Sequence, residues 1–250
     1  MEVRGLCWLG TRTPAFAGTV SFFGSTLELP LGAERPGFAR FDFPGGGALE
    51  VFDSTEPEHV HFTTGPVIGF EVADFDAARS ELERRGYELV LGPGGTPGSY
   101  RWQHFRGPEG VLFEIVDRPT RPRPRPPTGE LRVSRLSWAG VSTPRFDEFA
   151  AFYRDALSLP AVEATPDLIE CALPDGSAVE AFRRGGRMDH VHFRTGPVPG
   201  FEVADLGAAT RLLEQRGVGI LERRTRPGGG WAHFRAPDGY VYELKQSVPD

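Results

Sequence analysis

HVHFTTGPVIGFEVAD, from His59 to Asp74, returns in the second half of the chain as HVHFRTGPVPGFEVAD, from His190 to Asp205. Only Thr63/Arg194 and Ile68/Pro199 differ between the copies. Working outward, QHFRGPEGVLFEI (Gln103–Ile115) is matched by AHFRAPDGYVYEL (Ala232–Leu244), and Trp8–Pro14, WLGTRTP, by Trp138–Pro144, WAGVSTP. The order is kept and the offset stays near 130 residues, too long for a solenoid unit and right for a duplicated domain. Any site built from these residues is therefore expected in two versions.

Between the copies lies RPTRPRPRPPTG, Arg118–Gly129. Alternating Pro and Arg favour an extended, solvated, stiff linker. The expected boundaries are 1–118, a linker at 119–129, and 130–250. At 250 residues, each half is long enough to bury a core. A charged share of 25% beside a hydrophobic share of 39% places the chain among globular proteins. The net charge of −6 argues against a nucleic-acid partner, and no apolar run reaches transmembrane length. The N-terminus MEVRGLCWLG does not read as a signal peptide. Cys7 and Cys171 are not repeat-equivalent, so two free thiols and a cytoplasmic setting are expected rather than a disulfide.

Each half divides again. Arg132–Thr143 alternates as a strand. Pro144–Leu157 follows as a helix, with Phe146, Phe149, Ala150, Tyr153 and Leu157 on one stripe. Short strands are expected at Leu168–Leu173, Ala178–Phe182 and the HVHF stretch. A strand at Gly200–Ala204 then leads to Asp205 as N-cap of a helix Leu206–Arg216 that Gly217 ends. Strands return at Gly219–Arg223, Trp231–Arg235 and Tyr240–Leu244. The first half repeats the pattern, with helices near Pro14–Leu27 and Phe75–Arg85. The fold class is α+β, a fourfold βαβββ pattern.

This pattern resembles the vicinal oxygen chelate superfamily, which includes glyoxalase I, the bleomycin- and fosfomycin-resistance proteins and extradiol dioxygenases. The resemblance rests on STPRFDEFAAFYRDALSL (Ser142–Leu159), on GFEVADFDAARSELERRG (Gly69–Gly86) with its copy from Gly200, and on FRGPEGVLFEI and FRAPDGYVYEL. It implies that paired modules form a curved sheet whose concave face holds a small molecule, with one such cup expected per half. It also implies that tandem relatives often keep one working cup, for which the second half is the better candidate.

The family's metal-dependent members use four cup positions. By resemblance these are Trp8, Glu50, Val67 and Glu114 in one half and Trp138, Glu180, Val198 and Glu243 in the other. Indole and valine supply no lone pair for a metal, so both histidines of the family set are lost while both carboxylates stay. No metal is favoured.

Six histidines remain, in repeated pairs. His59/His61 and His190/His192 would share one strand face about 6.6 Å apart along the chain. His104 and His233 share faces with Trp102 and Trp231. Two readings stay open: a relocated site for Fe, Mn, Ni or Zn using Glu50, His61, His104 and Glu114 with Glu180, His192, His233 and Glu243, or local hydrogen bonding by the first pairs and ligand contact by His104 and His233.

All four tryptophans, Trp8, Trp102, Trp138 and Trp231, are repeat-equivalent and suit a planar or cationic ligand. Glu71 and Glu202 alternate toward the cups and are candidate general bases, as are His104 and His233. The sequence reading is thus a metal-independent small-molecule binder of sequestration or resistance type. The alternatives are a lyase, isomerase or dioxygenase with a nonstandard Glu/His metal site, and a metal-free acid–base enzyme. The partner is a small molecule, with neither nucleic acid nor membrane, and the protein is a monomer of two paired domains or a homodimer.

Overall fold

The computed structural model describes residues 1–62, 65–118, 130–187 and 196–247. Four modules follow one another. The first holds β1 (Val3–Thr13), α1 (Phe16–Ser21), β2 (Leu31–Arg35), β3 (Phe38–Asp42) and β4 (Ala48–Asp53). The second holds β5 (Val67–Val72), α2 (Phe75–Arg84), β6 (Leu89–Thr96), β7 (Tyr100–Arg106) and β8 (Leu112–Asp117). The third holds β9 (Val133–Thr143), α3 (Phe146–Ala151), β10 (Ala161–Ala164), β11 (Leu168–Ala172) and β12 (Ala178–Arg183). The fourth holds β13 (Val198–Val203), α4 (Leu206–Gln215), β14 (Ile220–Arg226), β15 (Gly229–Arg235) and β16 (Val241–Gln246).

The expected helices form for the expected reasons. Asp74 and Asp205 cap α2 and α4, accepting from Ala77 N at 3.1 Å and Ala208 N at 2.8 Å. Gly217 follows α4 at φ +80°, a left-handed conformation that costs glycine little. The helix expected over 144–157 is α-helical only to Ala151 and continues as a π turn over Phe152–Ala156, as α1 does over Phe22–Thr26. The wider turn buries Phe152 as well as Tyr153, so two adjacent aromatics reach the core where a 3.6-residue period would bury one.

The strands form two eight-stranded sheets, and here the expectation of one cup per half is corrected. One sheet runs β14-β15-β16-β13-β1-β4-β3-β2, the other β10-β11-β12-β9-β5-β8-β7-β6. The first module pairs with the fourth and the second with the third, through β1 antiparallel to β13 and β5 antiparallel to β9. Each half thus contributes one module to each sheet. Because GFEVAD stands in both β5 and β13, sequence alternation fixes which face of a strand is buried but not which copy it pairs with.

One large core lies on the helix-covered faces and joins all four modules. In it Phe22 stacks on Phe113 at 5.4 Å and Phe152 lies 6.0 Å from Phe234. Smaller clusters line the concave faces: Trp8, Ala48, Phe52, Phe62, Val198 and Val241 in the first sheet, and Val67, Leu112, Trp138, Leu168, Ala178 and Phe182 in the second. Cys7 and Cys171 are both free thiols. Burial pushes both thiols up, Cys171 to about 11. Among the described residues no helix is long and apolar enough to cross a membrane. The linker expected at 119–129 and the HVHF copy at 190–193 lie outside the described residues.

Candidate ligand-binding cup

Strand alternation turns Trp8, Glu50, Glu202, Trp231 and Glu243 of the first sheet toward a cavity of about 910 Å³. Trp8 is level with Gly200, which is level with Glu243 on the next strand. A Cβ at Gly10 would sit 2.0 Å from Trp8 Cη2, so the indole lies flat along its own strand, and only glycine leaves room for it. His233 lies between Trp231, at 4.4 Å between ring centroids, and Trp8, at 6.1 Å. Arg40, Asp42, Arg224, Arg226 and Lys245 complete the wall. Lys245 Nζ stands 5.4 Å over the Trp8 ring and 3.9 Å from Glu243 Oε1.

Burial sets the protonation of this floor. Glu243 is pushed up to about 8 by desolvation, against the opposing charge of Lys245. His233 is pulled down to about 4, again by burial, with Glu222 acting the other way. His233 Nε2 and Glu243 Oε2 are 3.1 Å apart, so at neutral pH the pair is an uncharged acid beside an uncharged imidazole. His59 and His61 are likewise lowered to about 4 by burial and by the neighbouring His233.

The second sheet repeats the layout. Trp138 is level with Gly69, which is level with Glu114, and a Cβ at Gly140 would sit 2.1 Å from the Trp138 indole. His104 Nε2 lies 3.0 Å from Glu114 Oε2, with Trp102 5.1 Å and Trp138 6.0 Å from the imidazole. Burial raises Glu114 well above the usual carboxylate range and lowers His104 to about 3. Glu180 rises to about 8, chiefly by burial and then by the charges of Glu170 and Glu114, while the Trp138 indole donates to it.

The structure therefore gathers Trp8, Glu50, Trp231, His233 and Glu243 in one cup and Trp102, His104, Glu114, Trp138 and Glu180 in the other. It does not gather the relocated metal set read from the sequence. Glu50 belongs to the first sheet, and His61 lies in a turn 5.0 Å from His233 of that sheet, whereas His104 and Glu114 belong to the second. Glu180 and Glu243 are separated in the same way, and His192 lies outside the described residues. The cause is the pairing of modules across the halves. His59 and His61 lie on a turn rather than on a strand. Glu202 lines the cavity. Glu71 is fully buried and accepts from Arg135 Nε at 3.0 Å, so service as a base would require that ion pair to open. Sequence reasoning missed Glu222, which β14 places opposite His233 after an irregularity in register that strand alternation does not foresee. It also missed Lys245, whose cue was its position two residues after Glu243 on the same face.

The four family positions do not fit a divalent ion. At the third position Val198 is level with Gly10, which is level with Glu50, and its side chain offers no donor. At the first position the Trp8 indole offers no lone pair and packs closely on β13, where a Cβ at Gly200 would meet Trp8 Cβ at 2.9 Å and Glu243 Oε1 at 3.3 Å. Two carboxylates, Glu50 and Glu243, are left, a donor set short of the imidazoles that zinc or nickel favours.

Comparison with known proteins agrees with this fold. Residues 6–115 and 135–244 each match the Glyoxalase/Bleomycin resistance protein/Dioxygenase superfamily. Among curated proteins no sequence match is found. Of solved structures, a dioxygenase candidate from Bacillus subtilis superposes with a TM-score of 0.75 at 16% identity, covering 99% of this chain and 86% of that one. Glyoxalase I from Zea mays superposes with a TM-score of 0.68 at 16% identity, covering 97% and 92%. At such identities the likeness is one of fold. With both repeats matched over most of their length, the chain belongs to the Glyoxalase/Bleomycin resistance protein/Dioxygenase superfamily, in tandem form.

Proposed function

We propose that the protein binds a planar small organic molecule in the cup shared by its first and fourth modules. It does so without an ion at the four family positions, as a sequestering or resistance-type binder. The observation that carries this reading is the open cavity of about 910 Å³ walled by Trp8 and Trp231. A volume in that range suits a drug-sized ligand, and indole faces bury planar surface at low entropic cost. The wall places Arg40, Arg224, Arg226 and Lys245 beside Asp42, Glu50, Glu202 and Glu243, a balance of donors and acceptors that favours a polar, substituted ring system over a plain hydrocarbon. The Trp8 Nε1–H is buried without a hydrogen-bond partner among the described residues and is available to a ligand acceptor. Two free thiols support a reducing, cytoplasmic setting. The test is saturable quenching of tryptophan fluorescence by planar compounds in excess chelator, without conversion of the compound.

A second reading is a metal-free acid–base enzyme. It is favoured by Glu243, a carboxyl that holds its proton up to about pH 8 in the cavity wall. This reading predicts turnover of a bound compound that Glu243→Gln abolishes while binding persists. Binding without conversion by the unsubstituted protein excludes it for that compound.

A further inference from the structure

After β4 the chain enters a tight turn that carries His59, His61 and Phe62. His59 has φ +58°, a left-handed conformation that costs a residue carrying a Cβ roughly 1–2 kcal/mol and is seldom kept without a reason. The turn is pinned to the fourth module. His59 stacks on Phe62 at 4.8 Å, Phe62 meets Trp8 at 5.9 Å and His233 at 4.9 Å, and Glu58 Oε1 accepts from Arg224 at 2.5 Å. His59 and His61 of the first half are thereby held against Glu222 of β14 and His233 of β15 in the second half.

One donor atom from each of these four residues lies within 4.8 Å of all the others. Glu222 Oε2 is 3.7 Å from both His59 Nδ1 and His233 Nδ1, too far for a hydrogen bond. His59 Nδ1, His61 Nε2 and His233 Nδ1 are all buried without a hydrogen-bond partner among the described residues. Three imidazole nitrogens left unsatisfied around one point would be an expensive arrangement for hydrogen bonding alone. It is the arrangement a tetrahedral ion requires, since metal–nitrogen distances of about 2.0–2.1 Å put neighbouring ligand atoms about 3.4 Å apart. The remaining nitrogen of His233 is already oriented, because its Nε2 lies 3.1 Å from Glu243 Oε2, the carboxylate-to-histidine support common behind metal ligands.

We propose that His59, His61, Glu222 and His233 form a site for one divalent transition-metal ion, best suited to Zn(II), that fastens the His59–Phe62 turn of the first half to strands β14 and β15 of the second. Three imidazoles and one carboxylate are a donor set for zinc, cobalt or nickel rather than for magnesium or calcium. The site shares no ligand with the four family positions, although it borders the cup, where His59 lines the cavity and His233 lies between Trp8 and Trp231. Its place in the fold is also asymmetric. In the second sheet Leu91 stands opposite His104, where Glu222 stands opposite His233 in the first. The equivalent carboxylate is absent there, and one ion per chain is expected.

The test uses tag-free full-length protein, stripped with chelator and titrated with Zn(II) alone by calorimetry, and with Co(II) as a spectroscopic probe. The expected result is one equivalent bound, a Co(II) visible spectrum of tetrahedral intensity, and a melting temperature raised by Zn(II). His61→Ala and Glu222→Gln sit at the partly exposed side of the cluster and should fold normally by circular dichroism. Each should lower affinity on the order of tenfold or more and abolish the thermal shift, while His104→Ala changes neither. Absence of stoichiometric binding, a Co(II) spectrum of octahedral type, or equal affinity in the unsubstituted, His61→Ala and Glu222→Gln proteins would overturn the assignment.

Discussion

His233 Nε2 lies 3.1 Å from Glu243 Oε2 on adjoining strands of the first sheet, and His104 Nε2 repeats the relation with Glu114 Oε2 at 3.0 Å in the second. In each cup a buried carboxyl at the family's fourth position has a histidine for a neighbour. The local chemistry is that of a buried, uncharged acid–imidazole pair, and its consequences are measurable.

The first is a pH dependence of stability. Glu243 and Glu180 rise from 4.5 to about 8 on folding, so the folded state holds protons that the unfolded chain releases above pH 4.5. Their stabilising contribution is complete below 4.5 and is lost as pH rises toward about 8. His59, His61 and His233 fall from 6.5 to about 4, so their contribution is present above 6.5 and is lost as pH falls toward 4. Between pH 6.5 and 8 only the carboxyls among these groups act, and urea unfolding should show stability declining across that window by about 1–3 kcal/mol. Glu243→Gln should flatten the decline. An unchanged slope in that variant would show that the carboxyl is ionised in the folded protein.

The buried ion pair between Arg135 of β9 and Glu71 of β5 ties the two halves together across the second sheet. Arg135→Ala leaves the Glu71 carboxyl buried beside an empty guanidinium site and should destabilise by about 3–5 kcal/mol in chemical unfolding. The double change Arg135→Met with Glu71→Leu should recover most of that loss. If the single variant unfolds at the same denaturant concentration as the parent, the pair contributes nothing.

Gly200→Ala probes the close approach of β13 to the Trp8 indole. The added methyl would lie 2.9 Å from Trp8 Cβ on a buried indole that has little room to retreat, so a cost of about 1–3 kcal/mol is expected from thermal or urea unfolding. Gly18→Ala, inside α1 where an added Cβ meets nothing within 4 Å, is the control and should stabilise by about 0.5–1 kcal/mol.

Removing the Asp205 cap should cost about 1 kcal/mol, because its side chain satisfies the Ala208 N–H at the start of α4. Asp205→Asn should retain most of the stability lost in Asp205→Ala, and equal losses would mean that charge rather than hydrogen bonding is at work.

Much of this fold was legible in the chain. Asp74, Asp205 and Gly217 mark helix ends by local chemistry, and alternation about Trp231, His233 and Glu243 puts those side chains on one face wherever their strands go. The partner of each strand was not legible, because Phe70 and Phe201 stand in identical GFEVAD segments and either could pair with β1. That single ambiguity placed Glu50 and His61 with His104 and Glu114, when the fold puts them beside Glu243 and His233. The turn at His59 was hidden for another reason. His-Val-His-Phe alternates as a strand does, and the left-handed backbone at His59 is imposed by tertiary contacts with Phe52 and Phe62 rather than by a glycine or proline that the sequence would display. Glu222 looked like one more charge on an exposed edge strand until the register placed it beside His233.

The most direct test of the ligand-binding cup is fluorescence titration of the tag-free protein, in excess chelator, with a panel of planar aromatic compounds. The account predicts at least one saturable quencher that is bound without being converted. Its affinity should fall on the order of tenfold in Trp231→Ala and stay unchanged in Trp102→Ala, since Trp231 lines the cavity of about 910 Å³ and Trp102 lies in the other sheet. Quenching by no compound in the panel, or equal affinities in the two variants, would contradict it.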